Sequence, residues 1–226
     1  MTAGAGAPRL VRPLLVAFLS VSLVHLAGLL AGVDAAHVAT KPLLMLLLTG
    51  YAAARGGPRL LTAALLCGWA GDVLLMPDAE PAFLAGMAFF AAGHVCYLLL
   101  FGRAPLRPVT GLVYAAVLVG FVVLLWPGLP SGLRIPLTGY SLLLTAMAWR
   151  SGVLGRYAAL GGALFLLSDA LIATGIADWP PLPAHDFWIM LTYIAAQYLL
   201  TRGALDAATD SAGAAPGAYR EGGIRI

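Results

Sequence analysis

Two aspartates, Asp72 and Asp169, lie inside long apolar runs, in segments that echo one another. One reads Leu66-Cys67-Gly68-Trp69-Ala70-Gly71-Asp72-Val73-Leu74-Leu75, the other Phe165-Leu166-Leu167-Ser168-Asp169-Ala170-Leu171-Ile172. A carboxyl group in hydrocarbon costs about 2.5–3.5 kcal/mol on insertion scales. A chain that accepts this cost twice, with a small residue before each acid and a small-apolar stretch after it, carries the pair for use. Two carboxyls sharing an oily site suit general acid–base chemistry, one of them holding its proton and the other ionised.

Other polar groups recur on faces that such a pair would need. Gly86, Phe90, His94 and Tyr97 fall at i, i+4, i+8 and i+11, one side of a helix, as do Asp186, Tyr193 and Gln197 at i, i+7 and i+11. Lys41 stands at the mouth of the next apolar run, where an ammonium can meet a phosphate or a carboxylate. Each has a plainer reading. A membrane histidine often bonds a neighbouring carbonyl, tyrosines anchor interfaces, a lysine snorkels, and Asp186 favours a helix N-terminus. Cys67 and Cys96 have no CxxC or HExxH spacing nearby and read as reduced packing residues, with no metal site.

These side chains must be positioned by membrane helices. Of 226 residues, 61% are hydrophobic and only 10% charged, whereas a water-soluble domain carries about 25%. The net charge of +3 is scattered between apolar runs, so nucleic acid is not an expected partner. Pro, Gly and charged clusters divide the chain into eight spans, near 10–32, 39–54, 59–76, 81–101, 108–126, 133–149, 153–174 and 186–205. Prolines 42, 81, 108 and 136 are expected in first turns, where a missing N–H costs little. Arg9 and Arg12 ahead of the Leu14–Gly32 run are expected to precede a retained first helix rather than a cleaved signal.

The basic residues alternate between connections. Arg9, Arg12, Arg55, Arg59, Arg103, Arg107, Arg150, Arg156 and Arg202 fall on one side, and only Lys41 and Arg134 on the other, beside Asp34, Asp78, Glu80, Asp178 and Asp186. The positive-inside rule makes the first side cytoplasmic, with both termini inside and an even number of spans. Helices three and seven then run in the same direction, each with its Asp about four or five residues before the outer end. Each is the third helix of a set of four, which predicts a four-plus-four parallel repeat bringing the carboxyls together. The expected fold is therefore all-α, a polytopic eight-helix bundle over 1–205, followed by a disordered cytoplasmic tail over 206–226 that lacks any apolar period. Arginine outnumbers lysine twelve to one, the usage of a GC-rich bacterium, so the expected location is a bacterial inner membrane.

Lys41-Pro42, Gly71-Asp72-Val73-Leu74-Leu75, Gly93-His94 with Tyr97, Ser168-Asp169-Ala170, and Tyr193 with Ala196-Gln197, in that order, resemble the lysoplasmalogenase (YhhN-like) membrane proteins. The resemblance runs from helix two to helix eight. It implies an integral-membrane hydrolase that cleaves the vinyl ether bond of lysoplasmalogens to a fatty aldehyde and glycerophosphocholine or glycerophosphoethanolamine. It implies Asp72 and Asp169 as the catalytic pair, and no metal or cofactor. Lys41, His94, Tyr97, Tyr193 and Gln197 are the expected substrate-binding residues, and the expected partners are an alkenyl lysophospholipid and membrane lipid. Vinyl ethers hydrolyse by slow protonation of the β-carbon and capture of the oxocarbenium ion by water, a task divided between two acids as in glycosidases.

A rival class shares these features. Paired membrane carboxylates and internal repeats also mark proton-coupled transporters. A carrier calls for helices broken by Gly or Pro at matching mid-membrane positions, and here the prolines are expected at helix starts instead. A lipid-binding or assembly subunit would show small-residue faces without acids. No residue pattern specifies an oligomeric state.

Overall fold

The computed structural model describes residues 7–213. Within them the chain is all-helical: α1 (Pro8–Ala31), α2 (Asp34–Ala54), α3 (Arg59–Leu74), α4 (Glu80–Phe101), α5 (Pro108–Leu125), α6 (Arg134–Arg150), α7 (Arg156–Ile176) and α8 (His185–Gly213), with one 3-10 turn over Ser151–Leu154. Proline at the first or second position starts α1, α4 and α5, its absent N–H being one the helix end leaves unbonded anyway. Gly32, at φ 67°, closes α1 in the left-handed conformation that a residue without Cβ adopts freely.

Four helices, α1, α4, α5 and α7, are long and apolar enough to cross a membrane, and the chain is a multi-pass membrane protein. The others depart from that standard for readable reasons. α3 and α6 have 16 and 17 residues, at the short end of what a bilayer needs. In α2 and α8 charged and polar side chains dilute the apolar stretch.

Two boundaries correct the expected ones. α2 begins at Asp34 and not near residue 39, so Pro42 lies inside an unbroken helix rather than in its first turn. An acidic residue in that first turn favours the earlier start. α8 continues through Gly213, so residues 206–213 are helical and not part of an irregular tail. Arg202 and Asp206, 3.7 Å apart at i, i+4, favour this extension. The remainder of the expected tail, 214–226, lies outside the described residues.

Loop contacts fix an up-and-down arrangement. At one end, Gly57 between α2 and α3 approaches Leu205 of α8. There too the Arg150 guanidinium donates to the carbonyls of Gly102 and Ala104 at 2.7 and 2.8 Å. Arg202 lies 3.9 Å above the Tyr157 ring at the same end. At the opposite end, the α1–α2 loop meets the start of α8, and Gly128 meets Ala177. α3 packs most closely on α4, α7 on α8 and α1 on α2, while α5 leans chiefly on α6. Along α5, Val109, Leu112, Val113, Val117, Val119 and Val123 are all exposed, which suits a helix whose solvent is lipid.

Candidate active site

α3 delivers Asp72 from the interior of the bundle. Two glycines on that helix make room for its surroundings. A Cβ on Gly68 would stand 3.0 Å from Gln197 Nε2 and 3.2 Å from the Tyr193 hydroxyl, and one on Gly71 would stand 2.6 Å from the Phe90 ring. The small residues before Asp72 thus let α4 and α8 approach closely enough to present their polar groups to it.

Asp72 and Asp169 line one cavity of about 160 Å³. The helix ends do not set this meeting. Asp72 lies two residues before the end of α3 and Asp169 seven before the end of α7, unlike the equal spacing expected from the sequence. Packing brings them together. Asp72 is only 4% exposed, and Asp169 is half-buried. The walls are mostly apolar, with Phe83, Met87, Phe121, Leu137, Ile172 and Ile176 among them. A water molecule takes about 30 Å³ in the liquid, so the space admits one beside a reacting group.

Each carboxyl ends a chain of hydrogen bonds. The Tyr193 hydroxyl donates to Asp72 Oδ2 at 2.8 Å. Gln197 Nε2 donates to the Tyr193 oxygen at 3.3 Å, and the Tyr97 hydroxyl donates to Gln197 Oε1 at 2.7 Å. On the other arm the Tyr140 hydroxyl donates to Asp169 Oδ2, and His94 Nε2 lies 3.1 Å from that same hydroxyl. Helix periodicity explains the shared source, since His94 and Tyr97 are one turn apart on α4. Phe165 and Phe90 wedge the arms, the Phe165 ring standing edge-on to His94 at 4.9 Å and to Tyr193 at 5.5 Å.

The expected substrate-binding residues separate into two groups. Lys41 and Tyr193 line the cavity, Lys41 half-buried and, among the described residues, without an ion-pair partner. His94, Tyr97 and Gln197 do not line it; they are buried behind the tyrosines and reach the acids only through them. Asp186, on the α8 face of Tyr193 and Gln197, lines a separate recess with Asp34, His37 and His185. Tyr140 is the residue that sequence reasoning missed. Its signal was position, because a tyrosine seven residues into the 17-residue α6 is too central for an interface anchor.

A multi-pass, all-helical membrane protein holding two carboxyls on one apolar cavity defines the class. The YhhN family model matches residues 36–204, and the chain belongs to the YhhN family. It is 39% identical over 175 residues to the lysoplasmalogenase TMEM86B of Rattus norvegicus, covering 75% of this chain and 72% of that one. It is 43% identical over 143 residues to the lysoplasmalogenase TMEM86B of Sus scrofa, 62% of this chain and 61% of that one. With a lysoplasmalogenase of Mycobacterium tuberculosis (strain CDC 1551 / Oshkosh) it shares 34% over 160 residues, 64% of this chain and 60% of that one. No solved structure matches the chain.

Proposed function

We propose that this protein is a membrane-embedded hydrolase that cleaves the vinyl ether bond of lysoplasmalogens, with Asp72 and Asp169 as its acid–base pair. The observation that carries this reading is the shared cavity, with both acids on its wall, in a chain whose relatives are named lysoplasmalogenase.

The chemistry closes on itself. One carboxylic acid gives its proton to the β-carbon of the vinyl ether, the π pair forming the new C–H bond. The ether oxygen's lone pair then makes the neighbouring carbon an oxocarbenium ion. Water adds to that carbon while the second carboxyl, until now ionised, takes its proton, giving a hemiacetal. The second acid returns this proton to the ether oxygen as the C–O bond breaks, and the first removes the hemiacetal hydroxyl proton as the aldehyde forms. One water is consumed, and both acids regain their starting states. Such acid–base assistance contributes about 10²–10⁴-fold. Lys41 meets the phosphate, the apolar walls hold the alkenyl chain, and the products are a fatty aldehyde and glycerophosphocholine or glycerophosphoethanolamine.

In this reading all eight helices cross the membrane of a bacterial cell. The arginine-rich end is cytoplasmic along with both termini. The two halves, α1–α4 and α5–α8, form a parallel repeat, supported by the close packing of α3 on α4 and of α7 on α8. A transporter is the less favoured reading. α3 and α7, the helices that carry the acids, run unbroken through them.

The test is aldehyde release from a lysoplasmalogen by detergent-purified protein. Asp72→Asn and Asp169→Asn should each lower it by 10² or more while the melting temperature holds. Normal turnover in either variant would remove that residue from the mechanism. Uptake of a solute into proteoliposomes, with no aldehyde formed, would replace the hydrolase by a carrier.

A further inference from the structure

The two carboxyls accept equivalent bonds but hang on unlike chains. The geometry points to Asp169 as the acid that protonates carbon and Asp72 as the carboxylate that meets the oxocarbenium ion and takes the proton of water. Tyr140 and Tyr193 are the positioning residues that set this difference. The inference rests on the proposed hydrolysis and deepens it.

On the Asp72 arm the direction of every bond is fixed. The Tyr97 proton occupies Gln197 Oε1, so the amide offers an N–H to Tyr193, whose own proton goes to Asp72 Oδ2. An amide has one accepting and one donating end. With its accepting end filled, the chain can only donate toward the carboxyl. A bond donated to a carboxylate is about twice as strong as a neutral one, so this arm favours the ionised form.

On the Asp169 arm the chain ends in an imidazole. His94 Nε2 faces the Tyr140 hydroxyl, while its Nδ1 is buried with no partner among the described residues. A neutral imidazole presents either an N–H or a lone pair at Nε2, according to its tautomer. With Nε2 accepting, Tyr140 turns its proton toward His94 and its oxygen toward a protonated Asp169. After proton transfer the Tyr140 hydroxyl rotates from His94 to donate to the carboxylate left behind, with the imidazole tautomer unchanged. This arm accommodates both states of its acid, as a proton donor's surroundings must. The other arm is wired for one.

In both arms the bond with tyrosine is made by Oδ2, and Oδ1 of neither acid has a hydrogen-bond partner within the described residues. Oδ1 of Asp72 is therefore its working oxygen, which takes the proton from water and passes it to the leaving oxygen. Asp169 holds its proton on Oδ2 against the Tyr140 oxygen and gives that proton to carbon.

Azide distinguishes the roles, because it captures an oxocarbenium ion without a general base but cannot protonate carbon. Aldehyde release, consumption of the vinyl ether and formation of its α-azido ether by the full-length protein are measured on a lysoplasmalogen with and without sodium azide, recovery in azide being read as vinyl ether consumed. The variants are Asp72→Ala, Asp169→Ala, Tyr193→Phe and Tyr140→Phe, each with its melting temperature recorded. Azide should restore Asp72→Ala at least tenfold and leave Asp169→Ala inactive. Tyr140→Phe should lose about tenfold in kcat at unchanged KM, with no recovery in azide, whereas the loss in Tyr193→Phe should recover. Rescue of Asp169→Ala, or of neither alanine variant, overturns the assignment while leaving the hydrolase standing. An unsubstituted protein that releases no aldehyde overturns both.

Discussion

Lys41 shows how much a single side chain can disclose before any coordinates. An ammonium at the edge of an apolar run needs an anion, and it lines the cavity that holds Asp72 and Asp169. Lys41→Met keeps the stem and removes the charge. It should raise KM for a phosphate-bearing substrate about tenfold, the scale of one bond to a charged group, with kcat nearly unchanged. A vinyl ether lacking phosphate should show no difference between the two proteins, and a fall in kcat on both substrates would place Lys41 in the chemistry instead. The acids, Lys41 and the polar faces of helices four and eight were legible because each polar group violates a hydrocarbon setting. Tyr140 was not, since a tyrosine is at home both in an interface and in a core. The layering of His94, Tyr97 and Gln197 behind the tyrosines was equally hidden, because helical periodicity gives direction around an axis but not distance from a cavity.

At the scale of elements, the contact of α3 with α4 depends on absent side chains. Gly71→Ala places a methyl 2.6 Å from the Phe90 ring, which is 9% exposed and edge-on to Tyr193. Overpacking of this kind costs about 1–3 kcal/mol, and a lowered melting temperature in detergent should report it. Gly68→Ala presses instead on Gln197 and Tyr193. It should reduce turnover more than stability, measured as kcat against melting temperature in the same preparation. The eight helices were readable from apolar length and from Pro and Gly punctuation. Their ends were less so. The start of α2 at Asp34 sets a favourable acidic first turn against a proline eight residues further on, and the length of α8 includes a polar stretch without apolar period, accompanied by the local Arg202–Asp206 pair and by the Thr209 and Ser211 hydroxyls on carbonyls one turn back.

For the whole molecule, loop contacts establish which connections share an end, and the proposed orientation puts the arginine-rich end in the cytoplasm. With Cys67 and Cys96 replaced by alanine, a single cysteine at Ala104 should label only from the cytoplasmic side of intact cells. One at Ala79 should label from outside. Labelling of both from one face would break the alternation of helices, and an exchange of faces would reverse the orientation.

α5 has its own consequence. It exposes most of its side chains, leans chiefly on α6, and yet contributes Val117, Leu118 and Phe121 to the cavity wall. A sparsely packed helix thus forms part of the wall between the acids and the surrounding acyl chains, and a doorway beside it would open sideways into the bilayer. An enzyme fed through such a door counts its substrate per lipid neighbour and not per litre. Diluting the vesicles should leave its velocity per enzyme unchanged, while mixing inert phospholipid into the same vesicles should slow it.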